Sequence, residues 1–331
     1  MKIALLGNDK GAFASVYNEE ALHRLHALGE CTPVLCDEEF PAHEAFLRDC
    51  EAAFSTWGMP ALSQEALARW LPNLKYCFYA AGSVQGFARP LLARGIRLSC
   101  AAAANAIPVA EFAFAQILLA AKGTFPAQKY YRIARRLSRK STREAPGNYR
   151  LQVGLLGVGV IGSLVAERLK SVDARVFAYD PFLSEERAAA LGLTLTGLED
   201  IFARCDVISN HLANKPQLEG ILDGKLFSRM KPRAVFINTG RGAQVNEREL
   251  ARALRRRPGA AALLDVLRNE AAPCRSPLFW RPNAYFTPHS AGSLGPECAR
   301  MAHYMVDELE RWLADEAPLY EVTMEQLERM A

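Results

Sequence analysis

Three polar side chains, far apart in the sequence, are of the types that acid–base chemistry at a carbonyl group requires. Arg241 stands between two glycines, Glu270 closes a polar segment that begins at Asp265, and His289 follows a proline. The planar fork of an arginine suits a carboxylate and can also polarise a carbonyl. A histidine can act as a general acid near neutral pH, and a nearby carboxylate stabilises its charged form. Together the three predict proton transfer beside a bound carboxylic acid.

Taken alone, each of these residues has a simpler structural interpretation. Arg241 fits a surface arginine in a glycine turn, Glu270 fits a solvated loop acid, and His289 is as compatible with a structural role as with a catalytic one. Their placement argues for chemistry, because each follows an apolar run, at residues 235–237, 261–264 and 284–287. Ligands of open α/β sheets bind at the carboxyl ends of strands. We therefore expect Glu270 to orient His289 from a neighbouring strand.

A glycine motif predicts a nucleotide site. Residues 157–162 read Gly-Val-Gly-Val-Ile-Gly, follow the apolar run 153–156 and precede a helical pattern. In such a motif Gly157 permits the tight turn, Gly159 lets a pyrophosphate approach the backbone, and Gly162 lets the helix pack on the strand. The helix N-terminus offers its N–H groups to the phosphates. The alternative is an ordinary glycine-rich turn between a strand and a helix.

Asp180 favours NAD over NADP. It lies eighteen residues after the last glycine and ends the apolar run 176–179. A carboxylate there accepts hydrogen bonds from the ribose hydroxyls and repels a 2′-phosphate. The following residues, Pro181-Phe182-Leu183, bring no arginine to offset that repulsion. The alternative is an acid in a turn or at a helix N-terminus.

Short apolar runs alternate with helical patterns along the chain. Before residue 100 the runs are 3–6, 33–35, 52–54, 76–80 and 96–98. After residue 150 they are 153–156, 176–179, 207–208, 235–237, 261–264 and 284–286. Such alternation predicts parallel sheets with crossover helices. The predicted fold is α/β, with two doubly wound parallel-sheet domains.

Two helical stretches set the expected domain organisation. Residues 108–122 are nearly all apolar and predict a long buried helix, with Pro108 in its first turn and Gly123 as its stop. A helix apolar on most sides needs partners on most sides, which an interdomain or subunit interface would supply. The final helix, near 296–313, is expected to return to the first unit. The predicted domains are residues 1–103 with 293–331, and residues 104–292.

Composition narrows the class of protein. Of 331 residues 50% are hydrophobic and 23% are charged, and the formal charge of +4 is too small to argue for nucleic acid. No apolar run approaches the roughly 18 residues of a membrane span, and the first residues are too short for a signal-peptide core. Eight scattered cysteines without a C-x-x-C pair predict free thiols, no metal site and a cytoplasmic location.

One basic stretch has two interpretations. Residues 129–150 hold eight lysines and arginines against one acid, Glu144. We favour a solvated helix and loop beside a subunit contact. The alternative is a patch that binds nucleic acid or another anion.

With these motifs the chain resembles the D-isomer-specific 2-hydroxyacid dehydrogenases, the family that contains the D-lactate, D-glycerate and D-3-phosphoglycerate enzymes. The resemblance is strongest from 104 to 292, and residues 109–111 are similar to the family's interdomain helix. It implies a Rossmann NAD-binding domain, a flavodoxin-like substrate domain and a homodimer. It also implies NAD-dependent interconversion of a 2-oxo acid and a D-2-hydroxy acid, with Arg241, Glu270 and His289 as the catalytic residues.

The resemblance implies further contacts. Asp265 would hold the nicotinamide carboxamide, and the backbone at Ala81, Gly82 and Ser83 would help hold the substrate carboxylate, together with Arg241 and His289. The implied cofactor contacts are Gly157, Gly159, Val160, Ile161, Gly162, Asp180, Pro181, Leu212, Ala213, Thr239, Gly240, Arg241, Asp265, His289 and Gly292. The candidates for the pocket that receives the substrate side chain are Tyr79, Ser83, Trp280 and Tyr285.

Two loops depart from the family pattern. Residues 82–85 read Gly-Ser-Val-Gln where members commonly read Gly-Val-Asp-Asn, which leaves the substrate open. In the usual His-x-Pro-x-Thr-Pro loop, Ala213 and Lys215 replace the first proline and the threonine. His211 is interpreted as a residue that shapes this loop.

Two competing functions remain. One is an NADH-sensing, corepressor-like binding protein on the same fold. The other is an enzyme of this scaffold that oxidises formate or phosphite.

Overall fold

The computed structural model describes residues 1–329, which divide into two compact units. The first contains Met1–Ala106 and the described residues from Ser293 onward, and the second is Ile107–Gly292. Each unit is built around one parallel sheet. The two predicted parallel-sheet domains are confirmed.

The sheet of the first unit has five parallel strands in the order β2-β1-β3-β4-β5. The strands are β1 (Lys2–Leu6), β2 (Glu30–Leu35), β3 (Ala52–Ser55), β4 (Tyr76–Tyr79) and β5 (Arg97–Cys100). This is the flavodoxin-like order. All five apolar runs predicted in this part of the chain are strands.

Helices cover both faces of this sheet. They are α1 (Lys10–Val16), α2 (Glu19–Leu28), α3 (Glu44–Arg48), α4 (Gln64–Trp70), α5 (Ala88–Ala93), α14 (Glu297–Leu313) and α15 (Met324–Arg329). Met301, Met305 and Leu309 of α14 pack in one core with Phe54 and Phe78 of the sheet. The final long helix therefore returns to the first unit.

The sheet of the second unit has seven parallel strands in the order β12-β11-β10-β9-β6-β7-β8. The strands are β6 (Leu151–Leu156), β7 (Ala174–Tyr179), β8 (Leu193–Leu195), β9 (Val207–Asn210), β10 (Val235–Asn238), β11 (Ala261–Leu264) and β12 (Ala284–Phe286). The six strands from β8 to β11 follow the Rossmann order, which reverses direction between β6 and β9, and β12 extends the sheet beyond β11. The three-residue β8 was not predicted, because Leu-Thr-Leu is too short to show a periodic pattern.

The helices of the second unit alternate with its strands. They are α7 (Thr124–Tyr131), α8 (Arg135–Arg143), α9 (Val160–Leu169), α10 (Glu185–Ala190), α11 (Leu198–Arg204), α12 (Gly224–Arg229) and α13 (Glu247–Arg256). Segments of 3₁₀ helix lie at Asp37–His43 in the first unit and at Pro216–Leu218, Gly242–Gln244 and Pro273–Arg275 in the second.

The long apolar helix α6 runs over Ala102–Ala121 and contains the boundary between the units. Pro108 therefore lies inside the helix, and its predicted place in the first turn is wrong. The cause is the preceding stretch of alanines and other helix-compatible residues, which starts the helix early. Gly123 follows the helix with a left-handed φ of 66°, as its predicted role as a stop requires.

By length and composition α6 could cross a membrane, and it is the only such helix in residues 1–329. A core helix has the same composition, and Ala110, Ala113 and Ile117 do lie in the core of the second unit. The expectation of burial on most sides is met only in part, because Glu111 and Leu119 lie on an exposed face.

The basic stretch forms part of α7, all of α8 and the loop that follows. Its lysines and arginines are exposed, and Ser138 joins the two helices by donating to the carbonyl of Ala127 at 2.9 Å. Large apolar side chains are exposed in the same stretch, at Tyr131, Ile133 and Leu137.

Candidate active site

The candidate site lies at the carboxyl edge of the second unit's sheet. Loops that follow β6, β7, β9, β10, β11 and β12 carry all the cofactor and catalytic residues predicted in this part of the chain. The parallel strands bring these loops, up to 135 residues apart in sequence, to one edge.

Each glycine of the motif has a distinct steric reason. Gly157 has a φ of +85°, and a Cβ there would lie 2.8 Å from the carbonyl oxygen of His211. A Cβ on Gly162 would lie 2.2 Å from the carbonyl oxygen of Gly157. A Cβ on Gly159 would meet nothing within 4 Å. The turn and the packing thus require two of the glycines, whereas Gly159 faces open space.

That open space suits a dinucleotide phosphate. Gly159 is the N-cap of α9, and the helix starts at Val160 and Ile161. The first N–H groups of a helix lack partners inside it and attract anions. The residues present therefore fit a pyrophosphate at this position.

Two substitutions separate the packing role of these glycines from the binding role. Because its φ of −71° suits alanine, Gly159→Ala should change the melting temperature by less than about 2 °C. The methyl group would occupy the space for the pyrophosphate and should raise the Kd for NADH at least about 10-fold. Gly162→Ala should instead lower the melting temperature by several degrees, because its methyl overlaps the Gly157 carbonyl. Thermal melts with fluorescence titrations check both, and normal NADH affinity in Gly159→Ala would refute the assignment.

Asp180 follows β7 and closes the glycine loop. Its two carboxylate oxygens accept the N–H of Val158 at 2.7 Å and the N–H of Phe182 at 2.9 Å. A carboxylate has about four lone-pair sites, so acceptor capacity remains for a ribose. The turn interpretation and the cofactor interpretation of Asp180 are therefore compatible.

The loop after β9 faces this segment. The ammonium of Lys215 lies 5.8 Å from the ring centroid of Phe182, whose side chain is 89% exposed. His211 in the same loop bonds Ser209 at 2.9 Å and Thr239 at 3.4 Å. Burial lowers the pKa of His211 to about 4. The ring is thus neutral at physiological pH, which suits the loop-shaping role predicted for it.

Asp265 is buried and organises the histidine loop. Its carboxylate accepts the Thr287 hydroxyl at 2.5 Å, the Ser290 N–H at 2.8 Å and the Ala291 N–H at 3.0 Å. These bonds, made by a side chain only 4% exposed, hold the residues on both sides of His289. The predicted contact to a nicotinamide stays a prediction.

His289 and Glu270 meet as the sequence predicted. Nδ1 of His289 lies 2.9 Å from a carboxylate oxygen of Glu270, and about half of each side chain is exposed. The backbone of His289 is left-handed, with a φ of 52°, and its N–H donates to the carbonyls of Asp265 and Thr287 at 3.0 Å. Residues other than glycine adopt this conformation rarely, at a cost of roughly 1–2 kcal/mol. Because Nδ1 faces Glu270, Nε2 is the ring nitrogen that can meet a ligand.

Arg241 lies on the neighbouring loop. Its side chain donates to the carbonyl of Gly240 at 2.8 Å. Burial lowers the pKa of Arg241, and the charge of Glu270 opposes that shift. A Cβ on Gly242 would lie 2.0 Å from the carbonyl carbon of Leu267, so this glycine lets the arginine loop pack on the loop that carries Glu270.

Sequence reasoning missed two sets of polar residues. Asn210, Asn238 and Gln244 are buried amides beneath the arginine loop. In the first unit, Asn105 accepts the N–H of Ser293 at 2.9 Å, and its Nδ2 would lie 3.6 Å from a Cβ on Gly82. The sequence feature that could have revealed these residues is an amide side chain among mostly apolar neighbours.

The side chains predicted to form the substrate pocket differ in their exposure and contacts. Tyr79 lies in the core of the first unit, edge-on to Phe87. Trp280 is 67% exposed and donates to the carbonyl of Cys274. Tyr285 lines a cavity of about 530 Å³. Their role toward a substrate, like that of Ala81, Gly82 and Ser83, stays a prediction.

The described residues contain no group of three or more His, Cys, Asp or Glu side chains that could hold a metal ion. The eight cysteines are free.

Comparisons with known proteins identify the family. The family model for "D-isomer specific 2-hydroxyacid dehydrogenase, NAD binding domain" matches residues 114–291. The chain is 38% identical over 202 residues to D-3-phosphoglycerate dehydrogenase of Mycobacterium bovis, a match that covers 61% of this chain and 38% of that protein. The chain therefore matches well under half the length of that relative.

Two further similarities extend over most of the chain. A glyoxylate reductase of Korarchaeum cryptofilum is 28% identical over 288 residues, which cover 85% of this chain and 86% of that one. The solved structure of a D-2-hydroxyisocaproate dehydrogenase superposes with a TM-score of 0.78, covering 98% of this chain and 100% of that one at 20% identity. At that identity the superposition concerns the fold.

Proposed function

The chain belongs to the D-isomer-specific 2-hydroxyacid dehydrogenase family, and on that premise we propose that it reduces a 2-oxo acid to a D-2-hydroxy acid, and catalyses the reverse, with His289 as general acid and base. Its Rossmann unit is an NAD-binding domain. The observation that carries the proposal is the 2.9 Å pair of His289 and Glu270, at the sheet edge that also holds the glycine loop and Arg241.

Each residue of the site has a distinct role in the proposed reaction. When bound, the nicotinamide supplies a hydride to the carbonyl carbon of the substrate. Nε2 of protonated His289 donates a proton to the oxygen that becomes the alcohol, while Glu270 accepts a hydrogen bond from Nδ1–H and stabilises the charged ring. Arg241 holds the substrate carboxylate and stabilises the negative charge that develops on oxygen. In the reverse direction neutral His289 takes the proton.

The proposal includes a preference for NAD over NADP, set by Asp180. In Asp180→Ala, kcat/KM for NADPH divided by kcat/KM for NADH should rise at least about 10-fold, because the repulsion of a 2′-phosphate is lost. It should also weaken NADH binding, since the N–H groups of Val158 and Phe182 lose their acceptor. Steady-state kinetics with both cofactors check this. If the wild-type enzyme preferred NADPH, Asp180 would not set the cofactor preference proposed for it.

A panel of acids tests the reaction class. Glyoxylate, hydroxypyruvate, pyruvate, phenylpyruvate and branched 2-oxo acids should oxidise NADH at rates that identify the side chain preferred. Formate and phosphite with NAD⁺ serve as the comparison, because neither carries the 2-oxo group that His289 would protonate. Turnover with formate or phosphite alone would contradict the proposal.

The proposal extends to a homodimer. It is supported by large apolar side chains that are exposed at Leu119, Tyr131, Ile133 and Tyr149. Apolar surface left exposed on one subunit can be buried in a subunit contact. The cytoplasmic location and the absence of nucleic-acid partners stay predictions from composition.

A further inference from the structure

Three amide side chains form a buried network beneath the candidate site. Asn210 ends β9, Asn238 ends β10, and Gln244 closes the 3₁₀ turn after Arg241. Their exposed fractions are 0%, 0% and 1%. Burial of three amides is costly unless their hydrogen bonds are satisfied, so their partners show what the network holds.

On one side the network holds the backbone of the arginine loop. Oε1 of Gln244 accepts the N–H of Arg241 at 3.4 Å, and Nδ2 of Asn238 donates to the carbonyl of Arg241 at 3.2 Å. Oδ1 of Asn238 also accepts the N–H of Gly240 at 3.1 Å. Both polar backbone groups of Arg241 are therefore bonded to amides.

On the other side it holds the loop after β9. Nε2 of Gln244 donates to the carbonyl of Leu212 at 3.0 Å and to the carbonyl of Ala213 at 2.8 Å. Oδ1 of Asn210 accepts the N–H of Leu212 at 3.3 Å. Gln244 is thus bonded directly to both loops.

Asn210 completes the network and fixes its orientation. Its Nδ2 donates to Asn238 at 2.9 Å and to Gln244 at 2.7 Å. Rotating the Gln244 amide by 180° would set its NH₂ group against two donors and its oxygen against two carbonyls. One arrangement of the three amides therefore satisfies all the bonds.

The same residues explain two sequence features. A Cβ on Gly240 would lie 2.9 Å from Nδ2 of Asn210 and 3.0 Å from Oε1 of Gln244, so the network leaves room only for glycine there. At Ala213 the chain lacks the proline of the usual His-x-Pro loop and hence a fixed φ. Bonds to two successive carbonyls restrain that backbone instead.

From this geometry we propose that Gln244 is a positioning residue, which fixes the cofactor loop at Leu212 and Ala213 relative to the backbone of Arg241. Cofactor binding and arginine placement then depend on one side chain that contacts neither ligand. The proposal deepens the proposed function and rests on it for the roles of the two loops.

Gln244→Leu tests the positioning role. It leaves Asn210 and both loops with lost bonds, and should lower the melting temperature by several degrees and raise the Kd for NADH about 10-fold, with kcat reduced by a similar factor. Asn210→Leu with Gln244→Leu also removes the acceptor of the Leu212 N–H and a donor to Asn238, so the double variant should regain neither stability nor NADH affinity.

Asn283→Ala is the matched control. Nδ2 of Asn283 donates to the carbonyls of Leu254, Arg257 and Ala260 at the opposite edge of the sheet, where β12 begins. Its loss should lower the melting temperature without changing the Kd for NADH.

NADH affinity, measured by fluorescence titration, needs no turnover. If wild type reduces no 2-oxo acid, the proposed function fails while the affinities still test Gln244. The positioning role is overturned if the double variant regains wild-type affinity, or if Gln244→Leu never loses it. It is also overturned if Asn283→Ala weakens NADH binding as much.

Discussion

Replacement of His289 by asparagine is expected to lower kcat with a 2-oxo acid at least about 100-fold and to leave the Kd for NADH within about 2-fold. Acid–base help from a positioned histidine is typically worth ~10²–10⁴-fold in rate, and asparagine cannot donate a proton at this pH. Asparagine suits the site because it tolerates the left-handed backbone of residue 289, where φ is 52°. The loss should therefore report chemistry and not a collapsed loop.

The measurement is steady-state turnover with a saturating 2-oxo acid, beside NADH titration and a thermal melt. His23→Asn, at an exposed position of α2, is the control and should behave as wild type. Turnover of the His289 variant within a few-fold of wild type would remove this residue from the mechanism.

Replacement of Arg241 by lysine is expected to lower kcat/KM for the 2-oxo acid about 10²–10³-fold. Lysine keeps the positive charge but loses the planar fork that binds a carboxylate through two parallel bonds. The Arg241 backbone N–H donates to Gln244 and its carbonyl accepts from Asn238, so the loop should keep its position when only the side chain changes.

Two readouts identify the cause of that loss. The Kd for NADH should change little, and added guanidinium ion should restore part of the activity. If the lysine variant matched wild type in kcat/KM, the arginine would be a residue of the turn and not of the site.

Much of the fold follows from local patterns. The fully buried strands of both sheets appear in the sequence as short apolar runs, since parallel strands covered on both faces lack polar alternation. The three-residue β8 gave no such signal. The start of α6 at Ala102 was missed because Pro108 resembles a first-turn proline, whereas four of the six preceding residues are alanines, which favour a helix.

The contact between Glu270 and His289 was predictable from the sequence. The order of strand ends placed Glu270 beside His289, because loops after adjacent parallel strands share an edge. The sequence could not show the left-handed backbone of His289 or the bonds of Asp265 to its loop, since both depend on contacts made only after folding. The amides Asn210, Asn238 and Gln244 were invisible for the same reason.

We expect the residues at the edge of the second unit's sheet to reduce a 2-oxo acid and not only to bind the cofactor. Stopped-flow mixing of the enzyme–NADH complex with the 2-oxo acid panel measures this reaction. It should show rapid oxidation of one NADH per site with at least one acid, a D-2-hydroxy acid as product, and loss of this phase in the His289 variant. Tight NADH binding with no oxidation by any acid would overturn the proposed reaction and favour an NADH-sensing protein.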